Sequence, residues 1–293
     1  MKQEATPIIH QTMLLYLFYV LAVHFTIRTG IIGAIPGVAH WWTSAADTIF
    51  ASIVLSLVPF LYWRHKQVPR KPLPVARLQP MAILYISLIS VATLPVVFFL
   101  NFASMMVFTQ EPAYIDLSRI SPVWAHMIAA GLFAGVLEEL WFRGALYREY
   151  RDRGVSVRNT AIVTGLFFGL WHLEPFQAVW AAAFGVMSVY QLHYTGSILA
   201  PILCHVLANA LGVLFNPMFY VSHYTEFWEL VPTVVTISGV ASLLMLPVAV
   251  FCWRKLRASG HPIPGTYADE PKVFTAAYFV IIAIMLLLIM IGL

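Results

Sequence analysis

Apolar runs long enough to cross a lipid bilayer recur along this chain and constrain its fold more than any other feature. The hydrocarbon core of a bilayer is about 30 Å thick, so a helix that crosses it needs about 20 apolar residues. The chain is predicted to be all-α, a polytopic transmembrane bundle of about eight or nine spans. The nine candidate segments are 10–27, 46–63, 80–108, 122–147, 158–173, 177–194, 197–215, 230–253 and 273–292.

Composition supports a membrane protein and argues against a separate soluble domain. Hydrophobic residues make up 60% of the 293 positions, and charged residues only 10%, whereas a soluble domain carries about 25% charged residues. We therefore predict a single transmembrane domain over 1–293. The two cysteines, Cys204 and Cys252, lie in apolar segments and predict neither a disulfide framework nor a cysteine metal site.

The basic residues predict the orientation of the chain in the membrane. Lys and Arg cluster around 64–77, 148–158 and 254–272, in short loops beside apolar segments. Counting spans from a cytoplasmic N-terminus places all three clusters on the cytoplasmic side, as the positive-inside rule requires. The net charge of +4 thus indicates contact with membrane lipid and not with nucleic acid. We expect a multi-pass protein of the cell membrane.

Several ionisable residues lie inside these apolar segments. A charge in hydrocarbon is costly, so each such residue is a functional hypothesis. At a rise of 1.5 Å per residue, Glu138 lies about 15 Å deep, His205 about 13 Å and His172 about 20 Å. These depths allow the groups to meet in one membrane-embedded cavity. The constellation comprises Glu138, Glu139, Arg143, His172, His205 and Asn209.

Spacing separates the two glutamates. Glu139 and Arg143 are four residues apart, with the acid first, which favours an ion pair on one helix face. Glu138 points about 100° away on an ideal helix and need not share that arginine. A desolvated carboxylate without a direct counter-charge suits the general base of a hydrolytic reaction.

The remaining polar residues complete a hydrolytic set that needs no serine or cysteine nucleophile. His172 follows Phe168 by four residues, so the phenyl ring can pack beneath the imidazole that would orient a water. His205 and Asn209 share this spacing and present two hydrogen-bond donors, which suit an oxyanion. A lone buried histidine or ion pair is more often structural, but six such groups would each carry a desolvation cost.

Three motifs in this region resemble those of a known family. They read Glu138-Glu139-Leu140-Trp141-Phe142-Arg143, then Phe168 to His172, then His205 to Asn209. They are similar to the EExxxR, FxxxH and HxxxN signatures of the CAAX protease and bacteriocin-processing family, which includes type II prenyl endopeptidases. The resemblance covers about 120–215, which it marks as the catalytic core.

The resemblance implies a fold, a mechanism and a class of substrate. It implies a helical bundle whose conical cavity opens towards cytosol and membrane. Glu138 would activate water with help from His172, while His205 and Asn209 would stabilise the oxyanion. Glu139 and Arg143, like Phe168, would have supporting roles, and no cofactor would be needed. The substrate would be a membrane-anchored or prenylated protein or peptide: a CAAX tail, a sorting tail or a bacteriocin leader.

Two alternatives stay open at this point. Glu138, His172 and His205 could form a zinc site with water as the fourth ligand, although the sequence has no HExxH motif. The chain could also be a non-proteolytic membrane protein, either a transporter or an immunity protein. Transport would favour an inverted repeat with discontinuous helices in matching halves, and we find none.

Overall fold

The computed structural model describes residues 43–66, 72–108, 122–222, 224–259, 273–274 and 276–290. These residues form helices and contain no strand, which confirms the all-α prediction. A short 3-10 turn, Pro217–Phe219, follows the sixth helix. The helices are α1 (43–66), α2 (Pro80–Phe108), α3 (Val123–Asp152), α4 (Val157–Trp171), α5 (Pro175–Thr195), α6 (Leu199–Phe215), α7 (Tyr224–Ser259) and α8 (Ala276–Met290).

Eight of the nine predicted segments coincide with these helices, while the first, 10–27, lies outside the described residues. Four of the described helices are long and apolar enough to cross a membrane. Helix α4 has 15 residues, a length of about 22 Å, and α6 has 17. Within the described part of the chain, four helices therefore qualify as full-length membrane spans. Those four spans are Ala45–Lys66, Pro80–Phe108, Val123–Asp152 and Thr225–Ser259.

The helices around the centre of the bundle pack closely because glycines line their contacts. A Cβ added at Gly169 of α4 would lie 2.3 Å from the carbonyl oxygen of Ala178 on α5. At Gly185 of α5 it would lie 2.8 Å from the Cα of Gly165 on α4. Small residues spaced four apart let the backbones of membrane helices approach each other. Helices α4 and α5 thus form a tight hairpin.

Helix α3 meets α6 in the same way. A Cβ at Gly135 of α3 would lie 3.0 Å from the backbone nitrogen of Val206 on α6, and one at Gly131 would lie 3.2 Å from the Cβ of Ala210. These contacts lie just before the turn of α3 that carries the two glutamates. They bring it against the turn of α6 that carries His205.

The turn between α4 and α5 fixes where α4 ends. His172 caps α4, and Leu173 follows it with a φ of 53°, in the left-handed region that side chains rarely adopt. Leu173 is nevertheless buried. Helix α5 then begins with Pro175, whose ring suits the first helical position. His172 is therefore held at the very end of a helix.

Candidate active site

The two glutamates lie in a short α-helical stretch, Gly135–Glu139, between two π-helical stretches of α3. These are Met127–Ala134 before it and Leu140–Leu146 after it. Wider π turns within α-helices occur frequently at functional sites. Both carboxylates are buried: Glu138 is 6% exposed and Glu139 is 0% exposed. The structure thus places two acids side by side in the interior.

Glu139 and Arg143 form the ion pair that their spacing predicts. The Nη1 of Arg143 donates to Glu139 Oε1 at 3.0 Å. Its Nη2 donates to the carbonyl oxygen of Gly185 on α5 at 2.8 Å, and its guanidinium lies 4.9 Å from the centre of the Phe168 ring. Both terminal nitrogens of this buried arginine are thus hydrogen-bonded, one to an acid and one to a carbonyl, and its guanidinium lies beside an aromatic face.

His205 lies between the two glutamates. Its Nδ1 lies 2.9 Å from Glu139 Oε1, and because a carboxylate only accepts hydrogen bonds, Nδ1 is the donor. Its Nε2 then faces Glu138, at 3.8 Å from Oε2. The bond to Glu139 therefore fixes both the tautomer and the direction of the ring. We refer to Glu138, Glu139, Arg143 and His205 as the carboxylate–imidazole cluster.

Glu138 differs from its neighbour in its surroundings. It has no hydrogen bond to any residue that the structure describes, and its Oε2 lies 3.8 Å from Nε2 of the His205 imidazole. Glu139, in contrast, has both Arg143 and His205 on one oxygen. The predicted ion pair of Glu139 with Arg143 is thus present, and Glu138 is not hydrogen-bonded to that arginine.

His172 contacts Phe168, a residue that also contacts the carboxylate–imidazole cluster. Its Nδ1 donates to the carbonyl oxygen of Phe168 at 2.9 Å, which leaves Nε2 as the acceptor of the ring. The Phe168 ring lies 5.1 Å from the imidazole of His172 and 5.8 Å from that of His205, edge-on to both. The predicted packing of Phe168 against His172 is present, and Phe168 links the two histidines.

Asn209 has a role that its spacing does not reveal. Its Nδ2 donates to the carbonyl oxygen of Ala130 on α3 at 2.9 Å, so one of its two N–H groups connects α6 to α3. An amide nitrogen carries a second N–H. Of the two donors expected to face a substrate, Asn209 thus has one committed to the fold, and His205 has Nδ1 committed to Glu139.

Several contacts in the site have no counterpart in the sequence motifs. The carbonyl of Gly185 binds Arg143, and the Phe184 ring lies 4.8 Å from His205. Trp180 lies 6.2 Å from the His172 ring and donates from Nε1 to Asn101 Oδ1 of α2 at 3.2 Å. The glycines spaced four apart in α4 could have indicated that α5 approaches closely. No sequence signal identifies a backbone carbonyl as a ligand.

The described residues contain no group of three His, Cys, Asp or Glu side chains that could hold a metal ion. Glu138 and His205 approach each other, and the Phe168 ring contacts the imidazoles of both His172 and His205. The zinc alternative stays a prediction that metal analysis can test, and we derive no step through a metal.

Comparison with known proteins points to the same segment. Residues 120–211 match the family model described as type II CAAX prenyl endopeptidase, Rce1-like. No curated protein matches the chain. The matched residues contain all three motifs, which confirms the resemblance to the CAAX protease family. This integral membrane protein, with four described helices of membrane-spanning length, thus contains a segment that is similar to a membrane protease family.

Proposed function

From the match of residues 120–211 to a CAAX endopeptidase, we propose that this protein is an intramembrane glutamic endopeptidase. It hydrolyses a peptide bond of a membrane-associated protein or peptide with water that Glu138 activates. One observation carries the proposal: Glu138 Oε2 lies 3.8 Å from His205 Nε2, while Glu139 holds the other nitrogen of that ring at 2.9 Å.

In the proposed reaction Glu138 accepts a proton from water as the water oxygen bonds to the scissile carbonyl carbon. His172 orients this water through Nε2. The carbonyl oxygen becomes an oxyanion that receives hydrogen bonds from His205 and Asn209. To donate from Nε2 as well as Nδ1, His205 has to carry both protons, with one carboxylate facing each nitrogen. When the C–N bond breaks, Glu138 returns its proton to the leaving amine.

The surroundings of the site support a substrate that arrives within the membrane. The cluster lies in the interior of a bundle whose outer faces are apolar, as at Leu243 and Leu244 of α7, which are 73% and 67% exposed. We propose that eight or nine segments cross the cell membrane and that the site lies in a cavity open to the cytoplasm. The substrate is a prenylated CAAX tail, a sorting tail or a bacteriocin-like peptide.

The Glu138→Gln variant tests this function. It keeps the size of the side chain but removes the proton acceptor, so we expect cleavage to fall by about 10²- to 10⁴-fold. The membrane proteomes of a deletion strain and of strains expressing each variant would be compared for an uncut precursor. That precursor should accumulate in the deletion strain and with Glu138→Gln.

Glu149→Gln is the matched control, because Glu149 lies on the same helix in a partly exposed pair with Arg153. It should process the precursor like the wild type. If Glu138→Gln, present at normal abundance, also processes every precursor, the proposed function is wrong.

A further inference from the structure

Helix α2 precedes the segment that matches the protease family, residues 120–211, yet it hydrogen-bonds to two helices of that segment. Ser90 of α2 contacts Cys204 on α6, and Asn101 of α2 contacts Trp180 on α5. Ser90 and Asn101 are eleven residues apart, which places them within about 20° of each other around an ideal helix and about 16 Å apart along it. One face of α2 therefore meets the site helices at two levels.

The first contact holds α6 at the residue that directly precedes His205. Ser90 is 0% exposed, and its hydroxyl oxygen lies 3.1 Å from the sulfur of Cys204 and 3.3 Å from the carbonyl oxygen of the same residue. It also lies 3.0 Å from the carbonyl oxygen of Ile86 in its own helix, so the hydroxyl bridges α2 and α6. Because Ser90 contacts both the backbone and the side chain of Cys204, it restrains the rotation of α6 about its axis. That rotation sets the direction in which His205 points towards Glu139.

The second contact holds an indole ring beside His172. The Nε1 of Trp180 donates to Asn101 Oδ1 at 3.2 Å, and the Trp180 ring lies 6.2 Å from the His172 imidazole. A tryptophan side chain has several staggered rotamers, and a hydrogen bond from its single N–H selects the one that reaches the acceptor. Asn101 therefore sets the orientation of an aromatic ring against which His172 packs.

Pro95 separates the two contacts along α2. It lies inside the helix, between Ser90 and Asn101. Proline has no backbone N–H, so the hydrogen bond that would join this turn to the carbonyl of Val91 is missing. The halves of α2 on either side are therefore coupled less tightly than in an uninterrupted helix. We expect each contact to act on its own histidine.

We propose that Ser90 and Asn101 are positioning residues for the two histidines of the site, Ser90 for His205 and Asn101 for His172. Ser90 acts through Cys204 and the rotation of α6, and Asn101 acts through the indole of the tryptophan that it binds. The inference rests on the proposed function for the roles of the two histidines. It extends the catalytic unit beyond the matched segment to α2.

Nitrogen NMR of the full-length protein with ¹⁵N-labelled histidine tests this pairing of residues. The chain has ten histidines, and the signals of two are assigned by their loss in His172→Gln and His205→Gln. Ring nitrogen shifts report the hydrogen bonding and tautomer of an imidazole, so reorientation of the ring moves them. Ser90→Ala should shift the signals of His205 and leave those of His172 in place. Asn101→Leu should shift the signals of His172 and leave those of His205 in place.

Thr93→Val is the matched control, because Thr93 lies on the same helix and its hydroxyl donates to the carbonyl oxygen of Ile89 within that helix at 2.9 Å. It should move the signals of neither histidine. Trp180→Phe, which keeps an aromatic ring but not the donor, is a second variant of the upper contact and should reproduce Asn101→Leu. If Ser90→Ala and Asn101→Leu leave both histidines unchanged, or if each shifts both histidines alike, the inference is wrong.

These spectra require no substrate, so failure of this inference is distinguishable from failure of the proposed function. In a cleavage assay the positioning role predicts that Ser90→Ala lowers kcat by about 2- to 12-fold, the range that corresponds to one lost hydrogen bond, with an unchanged KM. Thr93→Val should cleave like the wild type. A raised KM with an unchanged kcat for Ser90→Ala would contradict the positioning role.

Discussion

The helices that hold the candidate site and the α2–α7 pair are built differently, although both consist of apolar helices. In α3, 39% of the most apolar stretch is buried, against 6% in α7. Helix α3 carries buried charges, whereas α7 has no charged residue between Leu230 and Trp253. In the site region, backbones approach through glycine and fixed hydrogen bonds, while α7 presents large apolar side chains outward. Substitutions in the site region should therefore destabilise the protein more than substitutions in α7.

The largest expected effect is on the buried ion pair. Arg143→Met leaves Glu139 buried without its counter-charge, which should destabilise the protein by about 3–5 kcal/mol. Thermal unfolding of purified protein would measure the loss. Arg153→Met, which breaks the partly exposed pair with Glu149, should cost less than about 1 kcal/mol. Similar losses for the two variants would contradict the contrast between interior and surface.

The glycine contacts offer a sharper comparison of the two regions. Gly169→Ala would place a methyl group 2.3 Å from the Ala178 carbonyl oxygen, and we expect a loss of about 1–3 kcal/mol. Gly239→Ala on α7 meets only the edge of the Phe99 ring, at 3.2 Å. That ring can move, and alanine favours the helix by up to about 1 kcal/mol, so the melting temperature should barely change.

A smaller effect is expected where the two regions touch. Asn101 of α2 accepts a hydrogen bond from Trp180, whose indole lies beside His172. Asn101→Leu removes an interaction of about 0.5–1.5 kcal/mol. If this bond positions His172, kcat should fall by roughly 2- to 12-fold, since 1.4 kcal/mol corresponds to a factor of ten, with KM unchanged. Trp180→Phe, which keeps an aromatic ring but not the donor, should behave alike. An unchanged kcat in both variants would show that this hydrogen bond does not position His172 and contributes only to stability.

The smallest expected effect is that of a strong chelator. If Glu138 activates water without a metal, cleavage by the purified protein should be unchanged after chelation and dialysis. A loss of cleavage that added zinc restores would favour the zinc alternative. Metal analysis of the dialysed protein provides the control.

The sequence predicts local relations well and relations between helices poorly. The helices α1 to α8 appear where apolar runs indicate them, and Glu139 pairs with Arg143 because both lie on one helix. The bond from His205 to Glu139 joins different helices, so it depends on how each helix is rotated. The π-helical stretches of α3 alter that rotation, and hydrophobic periodicity does not reveal them.

The same reasoning explains why Asn209 was assigned only part of its role. Its partner is the carbonyl of Ala130, and every residue has a carbonyl, so no pattern of side chains identifies this contact. The length of α4 is a different case. The apolar run predicts the helix. Whether its 15 residues cross a bilayer depends on the neighbouring helices, about which the run contains no information.

Leu173 has a consequence for any attempt to make this protein more robust. Its left-handed backbone, with φ of 53°, costs about 1–2 kcal/mol for a residue other than glycine. Glycine at this position would recover part of that energy, and a screen for heat resistance would select it. The same change would give the chain after His172 more ways to turn, and the imidazole a wider range of directions. A more heat-stable variant obtained in this way should therefore hold the His172 imidazole less precisely.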